Sequence, residues 1–121
     1  MFEYEKISLK RITENLKNSF SYRLKAVVAF GSRVRGDFNR ESDFDILVIV
    51  ENLTISDEEK IIKIILEEEE KTGIPYEPII KSLDVFEKEK EFKTGFYLNI
   101  IKEGVFLYDS NIRGKESTCR V

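Results

Sequence analysis

The sequence predicts an α/β (α+β) domain in which helices cover one mixed central sheet. Three observations predict it. Two short, mostly apolar runs, Leu24–Phe30 (LKAVVAF) and Phe44–Val50 (FDILVIV), read as buried strands. Stretches with helical spacing of apolar residues alternate with them. The length, 121 residues, suits a single hydrophobic core and leaves no room for a second domain.

Ile7, Ile12, Leu16 and Phe20 recur near helical spacing and predict a first helix over 8–20. Leu24–Phe30 follows as a strand that stops at Gly31. Ser32 to Gly36 then reads as a turn opening a short helix, and Phe38 to Ser42 as a polar loop. Phe44–Val50 is continuous and rich in β-branched residues, as expected of a central strand buried on both faces. Ser56 with Glu59 three residues on has the form of a capping box. It predicts a second helix over 57–71, with Ile61, Ile62, Ile65 and Leu66 on its inner face. Gly73 stands where a helix stop is expected.

Tyr76 to Ile80 predicts a third strand, and Pro78 within it suits a sheet edge. Residues 83–90 and 96–103 predict two further helices, the second closed by Gly104. Val105 to Tyr108 predicts the last strand. Phe86, Phe92, Phe96, Tyr97 and Phe106 are expected to cover the sheet. Residues 1–110 thus form the domain, and 111–121 a solvated, flexible tail.

Composition bounds the chemistry. Apolar residues make up 41% and charged residues 36%, ordinary for a well-solvated globular protein. The net charge of −3 argues against a non-specific nucleic-acid binder. The chain has no histidine, which removes Ser-His and Cys-His nucleophile systems and most zinc sites. Its single cysteine, Cys119, permits no internal disulfide, which suits a reducing cytoplasm. No apolar run approaches a membrane span, and the first ten residues carry no signal-peptide core.

Two neighbouring elements carry the chemistry. Gly31 directly after a strand allows a sharp turn and a close approach to a ligand. Ser32 and the N–H groups that follow it suit phosphate oxygens, and Arg33 and Arg35 supply charge-assisted contacts. Gly31, Ser32, Arg33, Arg35, Gly36 and Ser42 are the nucleotide-binding candidates. Gly31 and Gly36 have P-loop spacing, but Asp37 and Phe38 stand where Lys and Ser/Thr are required, so that mechanism fails.

Asp43 and Asp45, two residues apart at a strand start, project from one face and can hold one Mg²⁺ between them. An EF-hand reading fails because Leu47 and Val48 occupy required ligand and glycine positions. Two-metal catalysis asks for a third carboxylate, and Glu77 in Pro75-Tyr76-Glu77-Pro78 is the candidate, as a further metal ligand or as a base near the attacking group. Asp84 is a poorer one, since it sits where a helix begins. Taken singly, each half is a common accident. Together, an anion-binding turn followed by paired carboxylates points to nucleotide transfer.

The combination GS-x3-G followed by S-D-x-D resembles the signature of the nucleotidyltransferase superfamily with the DNA polymerase β-like fold. At this size the chain is similar to the minimal nucleotidyltransferases, which consist of the catalytic domain alone. The arrangement of elements covers about residues 25–108, and the specific motifs are confined to 31–45. The resemblance implies that Gly31 and Ser32 bind the β and γ phosphates of ATP and that Asp43 and Asp45 ligate Mg²⁺. The family's third carboxylate is usually an aspartate, and Glu77 takes its place here. It also implies a partner: a HEPN-domain ribonuclease toxin whose tyrosine receives AMP, making this chain the antitoxin. Two alternatives stay open. One is a nucleotidyltransferase-fold antitoxin of weak or no activity that only masks its partner. The other is transfer to a small molecule or an RNA.

Overall fold

The computed structural model describes residues 1–31, 34 and 43–112. Helix α1 spans Glu3–Phe20, five residues longer at its start than its apolar spacing predicts. Glu3 and Glu5 in its first turn favour the positive end of the helix dipole, and the Glu5 carboxylate accepts the Phe2 N–H at 2.8 Å. Its buried face is Leu9, Ile12, Leu16 and Phe20. Ile7, expected in that stripe, is 51% exposed, because the sequence 9, 12, 16, 20 keeps helical phase and residue 7 does not.

A 3-10 turn, Ser21–Arg23, leads into strand β1, Leu24–Phe30. Strand β2 is Phe44–Val50. Both strands have the predicted bounds. Helix α2 spans Ile55–Thr72. Its cap is Thr54, not the expected Ser56. Thr54 Oγ1 accepts the Asp57 N–H at 3.1 Å, and the Asp57 carboxylate accepts the Thr54 N–H at 3.0 Å. Ile61 and Ile65 are buried, but Ile62 and Leu66 face outward. The helix ends at Gly73 with φ 77°, and its N–H reaches the Glu69 carbonyl at 2.7 Å.

Strand β3, Tyr76–Ser82, is followed by α3, Leu83–Phe92, and α4, Gly95–Glu103. Ser82 caps α3 and Thr94 caps α4 through their side-chain oxygens. Strand β4 is Val105–Asp109.

The sheet order is β3-β2-β1-β4. β1 pairs antiparallel with β2 and β4, and β2 pairs parallel with β3, so the sheet is mixed, as predicted. β2 is an inner strand and β3 an edge, where Pro78 removes no ladder hydrogen bond that β2 needs. Alternate strand residues feed two cores. Phe44, Ile46, Val48 and Val50 join α1 and α2 on one face. Leu47 and Ile49 join Phe86, Tyr97 and Ile100 from α3 and α4 on the other.

Two expectations change in detail. Phe92 does not cover the sheet but is 72% exposed, while Phe86 and Tyr97 are buried. Ile112, expected in the tail, is buried in the α3–α4 core. Its N–H reaches the Asp109 carboxylate at 3.0 Å and its carbonyl accepts from Lys90 Nζ at 3.1 Å. Val34 is helical and packs on the α1–α2 core. The remainder of the expected turn and loop, and residues 113–121, lie outside the described residues.

Candidate active site

The antiparallel β1–β2 pair brings the end of β1 and the start of β2 to the same side of the sheet, with Phe30 opposite Asp45. The parallel β2–β3 pair sets Glu77 beside Asp45. Asp45 therefore stands between Phe30 and Glu77, and residues in register share a face. Asp43 lies just before the strand and is exposed. The three carboxylates predicted from sequence are brought to one strand-end region.

Gly31 completes the geometry. Its φ is +98°, a conformation that residues with a side chain rarely adopt. A Cβ built there would collide with the Asp45 carboxylate, and even the carboxylate carbon would be 3.1 Å away. The turn after β1 and the second aspartate are thus in direct van der Waals contact. Ser32, Arg33, Arg35, Gly36 and Ser42, the other nucleotide-binding candidates, lie outside the described residues.

The neighbourhood differs between the faces. On the Asp45 face, Phe30 meets Phe96 edge-on at 6.0 Å, and Lys81 Nζ, paired with Glu89 at 2.8 Å, lies 4.1 Å from the Phe96 ring. On the opposite face, the Phe44 ring lies 5.9 Å from that of Tyr76, its register partner. The Phe44 N–H donates to the Pro75 carbonyl at 3.0 Å, so the backbone between the two aspartates is held.

Sequence reasoning missed what lies behind Phe44. Ser8, Glu68 and Tyr76 are buried together, with Arg11 at their edge. Ser8 Oγ donates to Glu68 at 2.7 Å and contacts Tyr76 Oη at 2.5 Å, while Arg11 donates to both Glu68 oxygens at 3.0 and 2.8 Å. Burial pushes the Glu68 carboxyl up, but the hydrogen bonds from Arg11 and Ser8 outweigh it and hold it below the ordinary value. Burial also pushes the Tyr76 phenol up to about 12. The signal was present: Glu68 is in helical phase with Ile61 and Ile65, and Ser8 with Ile12.

The donor set suits magnesium. Asp43 and Asp45 offer hard oxygens from one strand start and leave other coordination positions to water and phosphate. Among the described residues no three acidic, cysteine or histidine groups converge closely enough to hold a metal alone. A cavity of about 510 Å³ between α1 and α2 is lined by Glu67, Glu68 and Glu70. It lies on the far face from Asp45.

Residues 9–107 match the nucleotidyltransferase domain family. A candidate protein adenylyltransferase of Methanocaldococcus jannaschii is 31% identical over 104 residues, covering 86% of this chain and 98% of that protein. Among solved structures, a toxin–antitoxin complex with AMP-PNP matches with a TM-score of 0.55 at 15% identity, over 91% of this chain and 85% of that one. A tri-AMPylated Shewanella oneidensis HEPN toxin in complex with MNT antitoxin matches with a TM-score of 0.52 at 12% identity, over 94% and 84%. The structural matches show the fold. The family match spans most of the chain, and a relative above 30% identity covers 86% of it: the protein belongs to the nucleotidyltransferase domain family.

Proposed function

We propose that this nucleotidyltransferase is Mg²⁺-dependent and transfers AMP from ATP to a hydroxyl of a protein acceptor, a tyrosine of a HEPN-domain toxin, and so acts as the antitoxin. The observation that supports the reading is the contact between Gly31 and the Asp45 carboxylate, which joins the candidate phosphate turn to the candidate metal pair. The relatives support the acceptor class, since one is named for protein adenylyl transfer and a fold neighbour is an antitoxin bound to an AMPylated toxin.

In this reading the triphosphate lies along Gly31 and Ser32, with Arg33 and Arg35 against its outer phosphates. Asp43 and Asp45 hold the metal, which when bound neutralises phosphate charge and orients the leaving group. The acceptor oxygen forms a bond to the α-phosphorus in line as the bond to pyrophosphate breaks. Glu77, beside Asp45, takes the acceptor's proton or adds a metal ligand. Positioning and charge neutralisation suffice for such transfers, so a chain without histidine can perform them. The reaction belongs in the cytoplasm, where a chain with one cysteine needs no disulfide; no described helix is long and apolar enough to cross a membrane.

The test uses ATP labelled at the α or the γ phosphate. Label reaching a HEPN-domain protein from the α position alone supports the reading. Transfer from the γ position overturns it. A second reading, a masking antitoxin of little activity, is favoured by one observation: Glu77 does not close a three-ligand set with the two aspartates. It predicts a stable complex and no label.

A further inference from the structure

We infer that the buried Ser8–Tyr76–Glu68–Arg11 cluster is a positioning device for the Asp43–Asp45 pair and for Glu77, acting through Phe44. This rests on the proposed use of those carboxylates.

The hydrogen bonds run in one direction. Ser8 has one hydroxyl hydrogen, and it is committed to Glu68. The 2.5 Å contact with Tyr76 is therefore a bond donated by the phenol to Ser8 Oγ. Glu68 is neutralised by the Arg11 fork. The chain of donors thus reads Tyr76 to Ser8 to Glu68, with Arg11 closing it. The Tyr76 N–H also donates to Glu69 Oε1 at 3.1 Å. The first residue of β3 is tied to α2 at its backbone and to α1 through its hydroxyl, which reaches α2 by way of Ser8 and Glu68.

Tyr76 transmits this to the site. Its ring backs Phe44, whose flanking residues are the two aspartates, and its C-terminal neighbour is Glu77. A well-packed apolar core would secure the fold as well or better, because a buried ion pair costs desolvation and is often replaceable. What the polar cluster adds is direction: one orientation of the Tyr76 ring satisfies its partners. Phe44 then has one seat, and the carboxylates on either side one separation.

The test compares Tyr76→Phe, which keeps the ring and loses the hydroxyl, and Ser8→Ala with Thr54→Ala. Thr54→Ala removes a helix cap far from the site and serves as the stability control. Mn²⁺ affinity is read by electron paramagnetic resonance, and exchange of the Phe44 amide by NMR without metal. The inference predicts that Tyr76→Phe and Ser8→Ala each weaken Mn²⁺ binding by roughly tenfold, as loss of an outer-shell support does, and speed Phe44 exchange. It also predicts a lower kcat at near-constant KM for ATP, while Thr54→Ala lowers Tm and leaves all three readouts unchanged. Wild-type Mn²⁺ affinity and Phe44 exchange in both cluster variants overturn the inference. So does a loss in Thr54→Ala that scales with Tm in the same way. If the wild type binds no Mn²⁺, the metal reading falls separately, and Phe44 exchange alone decides the positioning role. Should Tyr76→Phe fail to fold, Ser8→Ala carries the comparison.

Discussion

Replacing Gly31 by alanine strikes the contact on which the proposed site rests. Two costs separate. The backbone cost comes from φ +98°, where a side chain is strained by about 1–2 kcal/mol. The second cost is local: the new methyl collides with the Asp45 carboxylate, which must rotate or shift. Gly73 provides the matched control, since its φ is +77° and nothing lies within 4 Å of a Cβ there. Gly73→Ala therefore pays the strain alone. Both variants should lose about 1–2 kcal/mol in urea unfolding, with up to about 1 kcal/mol more for Gly31→Ala. Transfer activity should separate them fully. A displacement near 1 Å in a catalytic group costs on the order of a hundredfold, so Gly31→Ala should lose about that much kcat while Gly73→Ala keeps wild-type kcat. A Gly31→Ala protein with wild-type kcat refutes the reasoning, as does an equal loss in Gly73→Ala.

Asp43→Ala/Asp45→Ala should keep its Tm within a few degrees and lose at least about a thousandfold in AMP transfer, the several kcal/mol that a metal supplies; circular dichroism and a labelled-ATP assay check both. Glu77→Asp should retain measurable transfer and Glu77→Gln should lose on the order of a hundredfold, read from kcat at saturating Mg²⁺; equal rates for Gln and wild type remove Glu77 from the mechanism. Acid stability follows from two depressed carboxyls. Hydrogen bonding from Arg23 holds Asp57 below its ordinary 3.8, and Glu68 sits below its ordinary 4.5. A depressed carboxyl contributes stability that is full above its unfolded pKa and lost as pH falls through the folded one. Tm should thus hold from neutral pH to about 4.5 and drop below it, and Arg11→Met should flatten that drop; thermal melts across pH 7 to 3 check it.

Strands were more legible than helix ends. Leu24–Phe30 and Phe44–Val50 are apolar except at Lys25 and Asp45 and otherwise buried on both faces, so their bounds follow from composition. The start of α1 is set by Glu3 and Glu5 at the dipole, and that of α2 by Thr54, where neither apolar spacing nor the Ser56–Glu59 pattern points. The apolar stripes misled at Ile7, Ile62 and Leu66, which are exposed, and the polar partners Ser8 and Glu68 are buried because they satisfy one another across 60 residues. Such pairing has no local trace beyond helical phase. The site was legible where it is local: Gly31, Asp43 and Asp45 sit in short motifs. Glu77 required the β2–β3 pairing, which the βαβ order makes parallel. Phe44 and Tyr76 behind the aspartates read only as core.

Intact mass spectrometry of a HEPN-domain protein, incubated with this chain, ATP and Mg²⁺ beside an Asp43→Ala/Asp45→Ala control, tests the central claim most directly. The account predicts a gain of one or more AMP units with the wild-type chain and none with the control. An unmodified partner held in a stable complex, or equal modification by the control, would contradict it.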